Sequence, residues 1–566
     1  VVPYYYIHIM VSREKHGIHR FFFLLTAVFA IGLLGRIVLL LFSDEANPTA
    51  SYHDPIVSQQ VVRGTVTDRN GRILAMETPY FSCAILLKET GDLKKTAAIV
   101  GEVLGMTAEE VLALTSGRSS YALIRRRLSD AQHATLKDLI SKRKVEGVVL
   151  EKRYGRTYPQ QFHAAQMIGF TNTENQGLEG LELAYDLELS PYPLLADTTT
   201  YGADIQLTLD MDLQFLLDTQ AVEIDNLHHG DYVLGLILGA KTGEILAATT
   251  FPWYDPNSYS TSTPQQRQNR LITYMYEPGS VFKIFSLAAE MAAGEADFSE
   301  PFECDGSYTF TMEGGRTTTI NCVTAHGTVT PSSMIAKSCN GAVAHWALQT
   351  SDHTFHDLLR NMGFGSVWDL GLRGSIAGML PKTGSWSGRT KATLAFGQEI
   401  GVTALQMAVA ATMLTNGGSV LQPQLIRSIT SHDGDRLYES KPTVAIEGVI
   451  SADIATKIIS YMVEATKTGG TAIHTAVKGI SVASKTGTAQ ILDPETNSYK
   501  DGTFLASTLT IVPAEDPQYI IYIAVANPKG ATIWGSNIAA PAIRAIIQDM
   551  VRQGKLKNAN QQTITL

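Results

Sequence analysis

At 566 residues the chain exceeds one average domain and suggests about three segments. With 45% hydrophobic and 17% charged residues and no low-complexity tract, its composition excludes a largely disordered protein. A net charge of -9 leaves no cationic excess for a polyphosphate backbone, which argues against nucleic acid as a partner.

Val1 to Ile9 has neither a helical period nor a targeting pattern, whereas Met10 opens a short basic segment, so translation is expected to begin at Met10. Phe21 to Phe42 is apolar except for Thr26, Gly32, Gly35 and Arg36. As a helix it spans roughly 33 Å, enough for a hydrocarbon core of about 30 Å. Arg36 opposes insertion by about 2.5 to 3.5 kcal/mol, but sixteen Leu, Ile, Val and Phe residues at up to roughly -0.5 kcal/mol each outweigh it. Its side chain is expected to snorkel to the outer surface, the alternative being contact with another membrane protein. Arg13, Lys15 and Arg20 precede the stretch and Asp44 and Glu45 follow it. The positive-inside rule therefore predicts a cytoplasmic tail (1–20), a single-pass anchor (21–42) and all later residues outside the cytoplasmic membrane. A cleaved signal peptide is the rival reading, against which stand the length of the stretch and the lack of a small-x-small cleavage site.

A mixed region follows over 46–205. It opens with an extended segment, Gln60 to Ala75, around the turn Arg69-Asn70-Gly71, continues through a predicted helix at Lys94 to Leu114 and includes a basic helical patch at Ser141 to Lys144. A second region, 206–560, starts where Ile205-Gln206-Leu207-Thr208-Leu209 alternates as a strand and Met211 begins a helix. Val233 to Thr250 reads as a hairpin turning at Lys241-Thr242-Gly243. The remainder alternates helices and strands, giving an α/β (α+β) class.

Three short patterns carry chemistry, and each needs local context to be specific. S-x-x-K occurs at Ser12, Ser141 and Ser280. Ser12 is on the expected cytoplasmic side, and Ser141 lies in a charged run that reads as a solvated helix face. Ser280 follows the helix-start signal Glu277-Pro278-Gly279 and precedes Val281-Phe282-Lys283-Ile284-Phe285, so its helix should be buried. Residues three apart share a helix face, which brings Lys283 to Ser280. Burial favours a neutral amine, the form that can act as a base. S-x-N is unique, at Ser338 and Asn340. K-T-G occurs at Lys241, Lys382, Lys467 and Lys485; the first three read as turns, whereas Lys485 leaves the strand-like run Gly479 to Ala483 and continues as Thr486-Gly487-Thr488. Glycine at a strand edge lets a peptide approach and pair with the backbone, and the lysine with two hydroxyls can hold a carboxylate.

The four cysteines are Cys83, Cys304, Cys322 and Cys339. Cys304 and Cys322 bracket a polar, Gly-rich stretch that reads as a hairpin, so their ends can meet and a disulfide stays open. No Cys/His spacing has zinc-site character, and no metal is expected.

The order of Ser280-x-x-Lys283, Ser338-x-Asn340 and Lys485-Thr486-Gly487 resembles the penicillin-binding protein and serine β-lactamase superfamily. Arg63-Gly64, Asp68-Arg69-Asn70-Gly71, Arg156-Thr157-Tyr158-Pro159 and Gly177-Leu178-Glu179-Gly180-Leu181-Glu182 resemble the pedestal of its class B members. Gly169-Phe170-Thr171-Asn172 and the chain length are more similar to division-specific septal enzymes than to elongation-specific ones. The sequence departs from the family's usual pattern at Ser375, Ser190 and Asn527.

The resemblance implies a transmembrane anchor, an elongated dimerisation-type pedestal, and a transpeptidase domain whose central antiparallel sheet is flanked by helices. It implies that Lys283 deprotonates Ser280, which attacks the penultimate D-Ala carbonyl of a peptidoglycan stem peptide, with the oxyanion between the backbone N–H groups of Ser280 and Thr488. Ser338 and Lys485 would relay a proton to the departing D-Ala, Asn340 would hold the substrate amide, and Thr486, Gly487 and Thr488 its terminal carboxylate. It further implies β-lactams as covalent inhibitors, a membrane glycan polymerase and other division proteins as partners, and no cofactor. The alternatives are an elongation-type transpeptidase, a D,D-carboxypeptidase or β-lactamase, or a catalytically idle division scaffold. Class A β-lactamases deacylate with a Glu-activated water, yet no Glu lies between Asn340 and Gln398.

Overall fold

Asp68 makes the first turn by accepting hydrogen bonds from the Asn70 and Arg72 amides, both 2.8 Å, while Gly71 takes a positive φ of 83°. The short strand β1 (Val66–Thr67) thereby returns as β2 (Ile73–Leu86), antiparallel to it. The computed structural model describes residues 31–32, 61–192, 199–312, 314–493 and 498–556. The expected cytoplasmic tail, Met10 and all of the expected span except Ile31 and Gly32 lie outside these residues. Among the described residues no helix is long and apolar enough to cross a membrane.

The helix expected over Lys94 to Leu114 is two helices. α1 (Leu93–Leu104) stops at Gly105, left-handed with φ 68°, and a capping box between Thr107 and Glu110 starts the next helix at Ala108. The strand β3 (Tyr121–Arg125) precedes α2 (Asp130–Ser141), itself started by a Ser129–Gln132 capping box. This helix ends at Ser141 and Arg143 has φ 51°, so the basic patch is a helix end and turn rather than helix. β2 pairs with both β3 and β4 (Val148–Thr157), and Ile85, Val100, Leu136 and Val148 form a core beneath them.

β5 (Asp204–Leu207) pairs parallel with β1 on one side and antiparallel with Ile426–Thr430 on the other, and that strand pairs with Arg436–Glu439. One seven-stranded sheet thus takes strands from both sides of residue 205. Beside it lies a buried ion network. Glu182 accepts from Arg63 Nε at 2.7 Å and Arg156 Nε at 2.6 Å, and Asp186 from Arg63 Nη1 at 2.6 Å.

The second half begins with α3 (Met211–His228) and the hairpin of β6 (Tyr232–Gly239) and β7 (Ile245–Phe251). A single 3-10 turn, Gly279–Phe282, leads into α4 (Lys283–Ala293). Four short strands follow: β8 (Phe302–Cys304), β9 (Ser307–Thr311), β10 (Thr317–Asn321) and β11 (Gly327–Val329), with β8 paired to β11 and β9 to β10. Next come α5 (Pro331–Lys337) and α6 (Asn340–Gln349); after further short helices and strands the chain forms α7 (Ala452–Glu464), β12 (Ala483–Asp493), β13 (Ser498–Val512), β14 (Tyr519–Ala526) and α8 (Gly535–Arg552).

The central sheet has the order β7-β6-β14-β13-β12 and is antiparallel throughout. The alternation of β6 explains its two covered faces. Val233 and Ile237 pack with Leu217 of α3 and Ile543 of α8, whereas Leu234, Leu236 and Leu238 join the core containing Phe282, Phe285 and Leu287 of the 3-10 turn and α4. α4 is buried from Lys283 through Glu290. Truncating Phe285 to Ala there should cost about 3–5 kcal/mol.

Candidate active site

Ser280 sits in the 3-10 turn and Lys283 opens α4, so the turn's three-residue spacing sets them side by side; Lys283 Nζ is 3.0 Å from Ser280 Oγ. The turn lies against β12 because both chains carry glycine at the contact. A Cβ on Gly279 would stand 2.8 Å from Ala489 Cβ, and one on Gly487 would stand 2.8 Å from Val281 Cγ2. Ser338 follows α5 in the left-handed conformation, φ 61°, which turns the chain into α6 and brings Ser338 and Asn340 back to Lys283.

Lys283 Nζ meets four oxygens: Ser338 O and Asn340 Oδ1 at 2.6 Å each, Ser280 Oγ at 3.0 Å and Ser338 Oγ at 3.1 Å. The first two can only accept. Asn340 Nδ2 donates to Asn321 O at 2.8 Å, which fixes the amide with Oδ1 toward the lysine. A neutral amine has two N–H groups, one for each obligate acceptor, and its lone pair is left for a hydroxyl. Lys283 is fully buried, and burial lowers its ammonium to about 8, against a smaller opposing influence of the Cys339 and Cys322 thiols. Lys485, also fully buried, donates to Ser338 Oγ at 3.0 Å and Thr486 O at 2.7 Å. Burial, with repulsion from Lys283, holds it well below the ordinary lysine range.

K-T-G lies within β12 rather than at the exit of a strand. Lys478 and Gly479 form a turn closed by a Val477–Ile480 bridge, Ser481 and Val482 belong to neither helix nor strand, and the strand begins at Ala483. β12 ends the sheet, so one of its edges has no strand partner among the described residues. Thr488 Oγ1 accepts from Gly535 N at 3.2 Å. The other K-T-G copies stand apart: Lys241 donates to Thr415 O in the β6–β7 turn, Lys382 precedes a short 3-10 turn, and Lys467 pairs with Glu464 on the surface.

Two cavities meet at Ser280. One, about 340 Å³, is lined by Ser280, Ser338, Asn340, Thr486, Gly487 and Thr488. The other, about 350 Å³, shares Ser280, Asn340 and Thr488 and extends to Arg389, Gln398 and Gln490. Sequence reasoning missed the wall residues Val323, Thr324, Trp534 and Arg389, which lie far from the three motifs in the chain and carry no pattern of their own.

The expected hairpin between Cys304 and Cys322 is present, but the two sulfurs are 3.7 Å apart and all four cysteines are free thiols. The structure adds what spacing had not suggested: Cys304, Cys322, His326 and Cys339 bring their ligand atoms within 4.8 Å of one another. They come from the end of β8, the end of β10, the loop before β11 and the residue preceding α6, so no short local motif announces them.

Comparison with known proteins gives matches to the Penicillin binding protein transpeptidase domain over residues 234–548 and the Penicillin-binding Protein dimerisation domain over residues 58–192. Stage V sporulation protein D of Bacillus subtilis is 27% identical over 88% of this chain and 79% of its own length. Peptidoglycan D,D-transpeptidase FtsI of Escherichia coli is 28% identical over 87% of this chain and 83% of its own. The crystal structure of penicillin binding protein 3 from Mycobacterium tuberculosis, complexed with aztreonam, superposes with a TM-score of 0.70 at 25% identity, covering 88% of this chain and 98% of that one.

Proposed function

The chain belongs to the penicillin-binding protein transpeptidase family, and from that premise we propose that it is a class B serine D,D-transpeptidase that cross-links peptidoglycan stem peptides at the division septum and is acylated by β-lactams. The septal assignment is supported by the similarity to FtsI and to penicillin binding protein 3 over most of the chain. Its location follows from the sequence: Phe21 to Phe42 as the anchor, with the catalytic domain outside the cytoplasmic membrane. The anchor and pedestal would engage a membrane glycan polymerase and other division proteins.

One observation carries the chemistry, the lysine that touches the serine with its N–H groups already committed elsewhere. Lys283 as a neutral amine takes the Ser280 proton while Oγ bonds to the carbonyl carbon of the penultimate D-Ala. The oxyanion lies between the Ser280 and Thr488 amides, each such donor contributing about 2.7–4 kcal/mol. The close packing of Gly279 on Thr488 and Ala489 supports this pairing. Collapse breaks the peptide bond, and the amine of the leaving D-Ala takes a proton through Ser338 and Lys485. An amine of a second stem peptide then attacks the ester, releasing Ser280. Asn340 holds the donor amide, and Thr486 and Thr488 its carboxylate beside Gly487. The second cavity at Ser280 has room for the acceptor strand.

Labelled penicillin should form a covalent adduct with the full-length protein that persists for many minutes. Ser280→Ala should abolish labelling without unfolding the chain. Rapid turnover of penicillin, or labelling that survives this substitution, would overturn the assignment.

A further inference from the structure

We propose that Cys304, Cys322, His326 and Cys339 form a tetrahedral zinc site that pins the segment carrying Ser338 and Asn340. Zn²⁺ bound by thiolate and imidazole has Zn–S near 2.3 Å and Zn–N near 2.0–2.1 Å, so a regular tetrahedron sets its S···S edges at about 3.8 Å and its S···N edges at about 3.6 Å. The Cys304–Cys322 and Cys322–Cys339 sulfurs are 3.7 and 3.8 Å apart, and Cys304 Sγ is 3.5 Å from His326 Nδ1. No pair of the four ligand atoms exceeds 4.8 Å, so closing the widest edge takes a shift of about 1 Å. A disulfide would need its sulfurs at about 2.05 Å.

The surroundings are those of thiolates. Gly341 N points at Cys322 Sγ and Ala342 N at Cys339 Sγ, both at 3.4 Å, the outer hydrogen bonds that orient metal-bound sulfur. Ordinary core packing accounts for buried Cys304 and Cys339. It does not account for a partly exposed Cys322 between them, or for an imidazole nitrogen turned onto a sulfur. Three soft thiolates and one imidazole select zinc over the oxygen-seeking divalent cations.

The site would tie four segments together. Val323 and Thr324, between the ligands Cys322 and His326, line the cavity that holds Ser280. Cys339 separates Ser338 from Asn340, and Ser338 holds a positive φ that a ligand on the next residue would fix. The metal would therefore act as a structural tie between the cavity wall and the residues that face Lys283. This effect on acylation rests on the function proposed above, whereas metal binding itself does not.

The test uses full-length protein in detergent with its thiols reduced, given Zn²⁺ or Co²⁺ alone. Zinc should be retained at one per chain by elemental analysis. Cobalt should give a thiolate-to-metal charge-transfer band with the intense ligand-field absorption of a tetrahedral site. Cys304→Ser, which removes a ligand outside the cavity, should weaken zinc binding by at least about tenfold and slow penicillin acylation, while zinc readdition should not restore the wild-type rate. Failure of the wild-type protein to retain zinc, a weak octahedral cobalt spectrum, or a disulfide among these cysteines found by alkylation and mass spectrometry would overturn the site. Because metal content is read without penicillin, a protein that binds zinc and is never acylated would refute the proposed function and leave the site standing.

Discussion

Two regions bury cations, and they do it in opposite ways. In the pedestal, Arg63 and Arg156 share Glu182, and Asp186 completes the group. Burial alone would lower Arg63, but pairing with Glu182 and Asp186 outweighs it and raises the guanidinium above its ordinary value. At Ser280, the buried lysines Lys283 and Lys485 touch hydroxyls, carbonyls and an amide, with no carboxylate among these partners. Burial disfavours their ammonium forms, and the smaller opposing influence of Cys339 and Cys322 on Lys283 does not offset it. Charge balance keeps the arginines cationic; without a counter-ion the lysines shift toward the neutral amine that the proposed base requires.

Breaking the chemical side of this contrast should give the largest effect. Lys283→Ala should slow penicillin acylation by about 10² to 10⁴, read by stopped-flow labelling, while the unfolding transition persists. Breaking the structural side comes next. Glu182→Gln leaves two guanidiniums without their shared carboxylate and should destabilise the chain by about 3–5 kcal/mol in denaturant unfolding, with the acylation rate of the folded fraction unchanged.

The pH dependence sharpens the contrast. With Lys283 as the base proposed for Ser280 and its value in the folded chain at about 8, acylation should rise with pH and level off above that point. From pH 7 to pH 9 the gain should be about tenfold. The stability sign follows from the same shift: the unfolded lysine binds more protons between pH 8 and its ordinary 10.5, so stability contributed by this group grows as pH rises through that window. The smallest effect belongs to a charge paired in water. Lys467→Ala removes an exposed i,i+3 pair with Glu464 and should change stability by no more than about 0.5 kcal/mol and acylation not at all.

What the chain reveals on reading depends on distance along it. Ser280 and Lys283 are legible because three residues set their contact and flanking Phe282 and Phe285 announce burial. Strand context singles out Lys485 among the four K-T-G copies, and the structure sets it beside Ser338, although Gly479 to Val482 lies outside the strand, which starts at Ala483. The break at Gly105 is written in Gly105 and Thr107-x-x-Glu110, but apolar residues continue on both sides of it and mask the boundary. Arg63, Arg156 and Glu182 stand in recognisable motifs, yet nothing local says that one carboxylate serves both arginines across 119 and 26 residues. The thiol and imidazole cluster was hidden for the same reason, since its members converge only when β8, β10 and α6 pack.

The seven-stranded sheet has a further consequence, one of timing. Its outer strands, Ile426–Thr430 and Arg436–Glu439, are made more than 200 residues after β5, the strand on which they build. Until they emerge from synthesis, β5 has a bare edge, open to wrong partners. Closing contacts of such sequence separation is entropically slow. A nascent chain would therefore hold its first sheet unfinished until Glu439 has been made, and a fragment ending soon after Leu207 would keep that edge permanently.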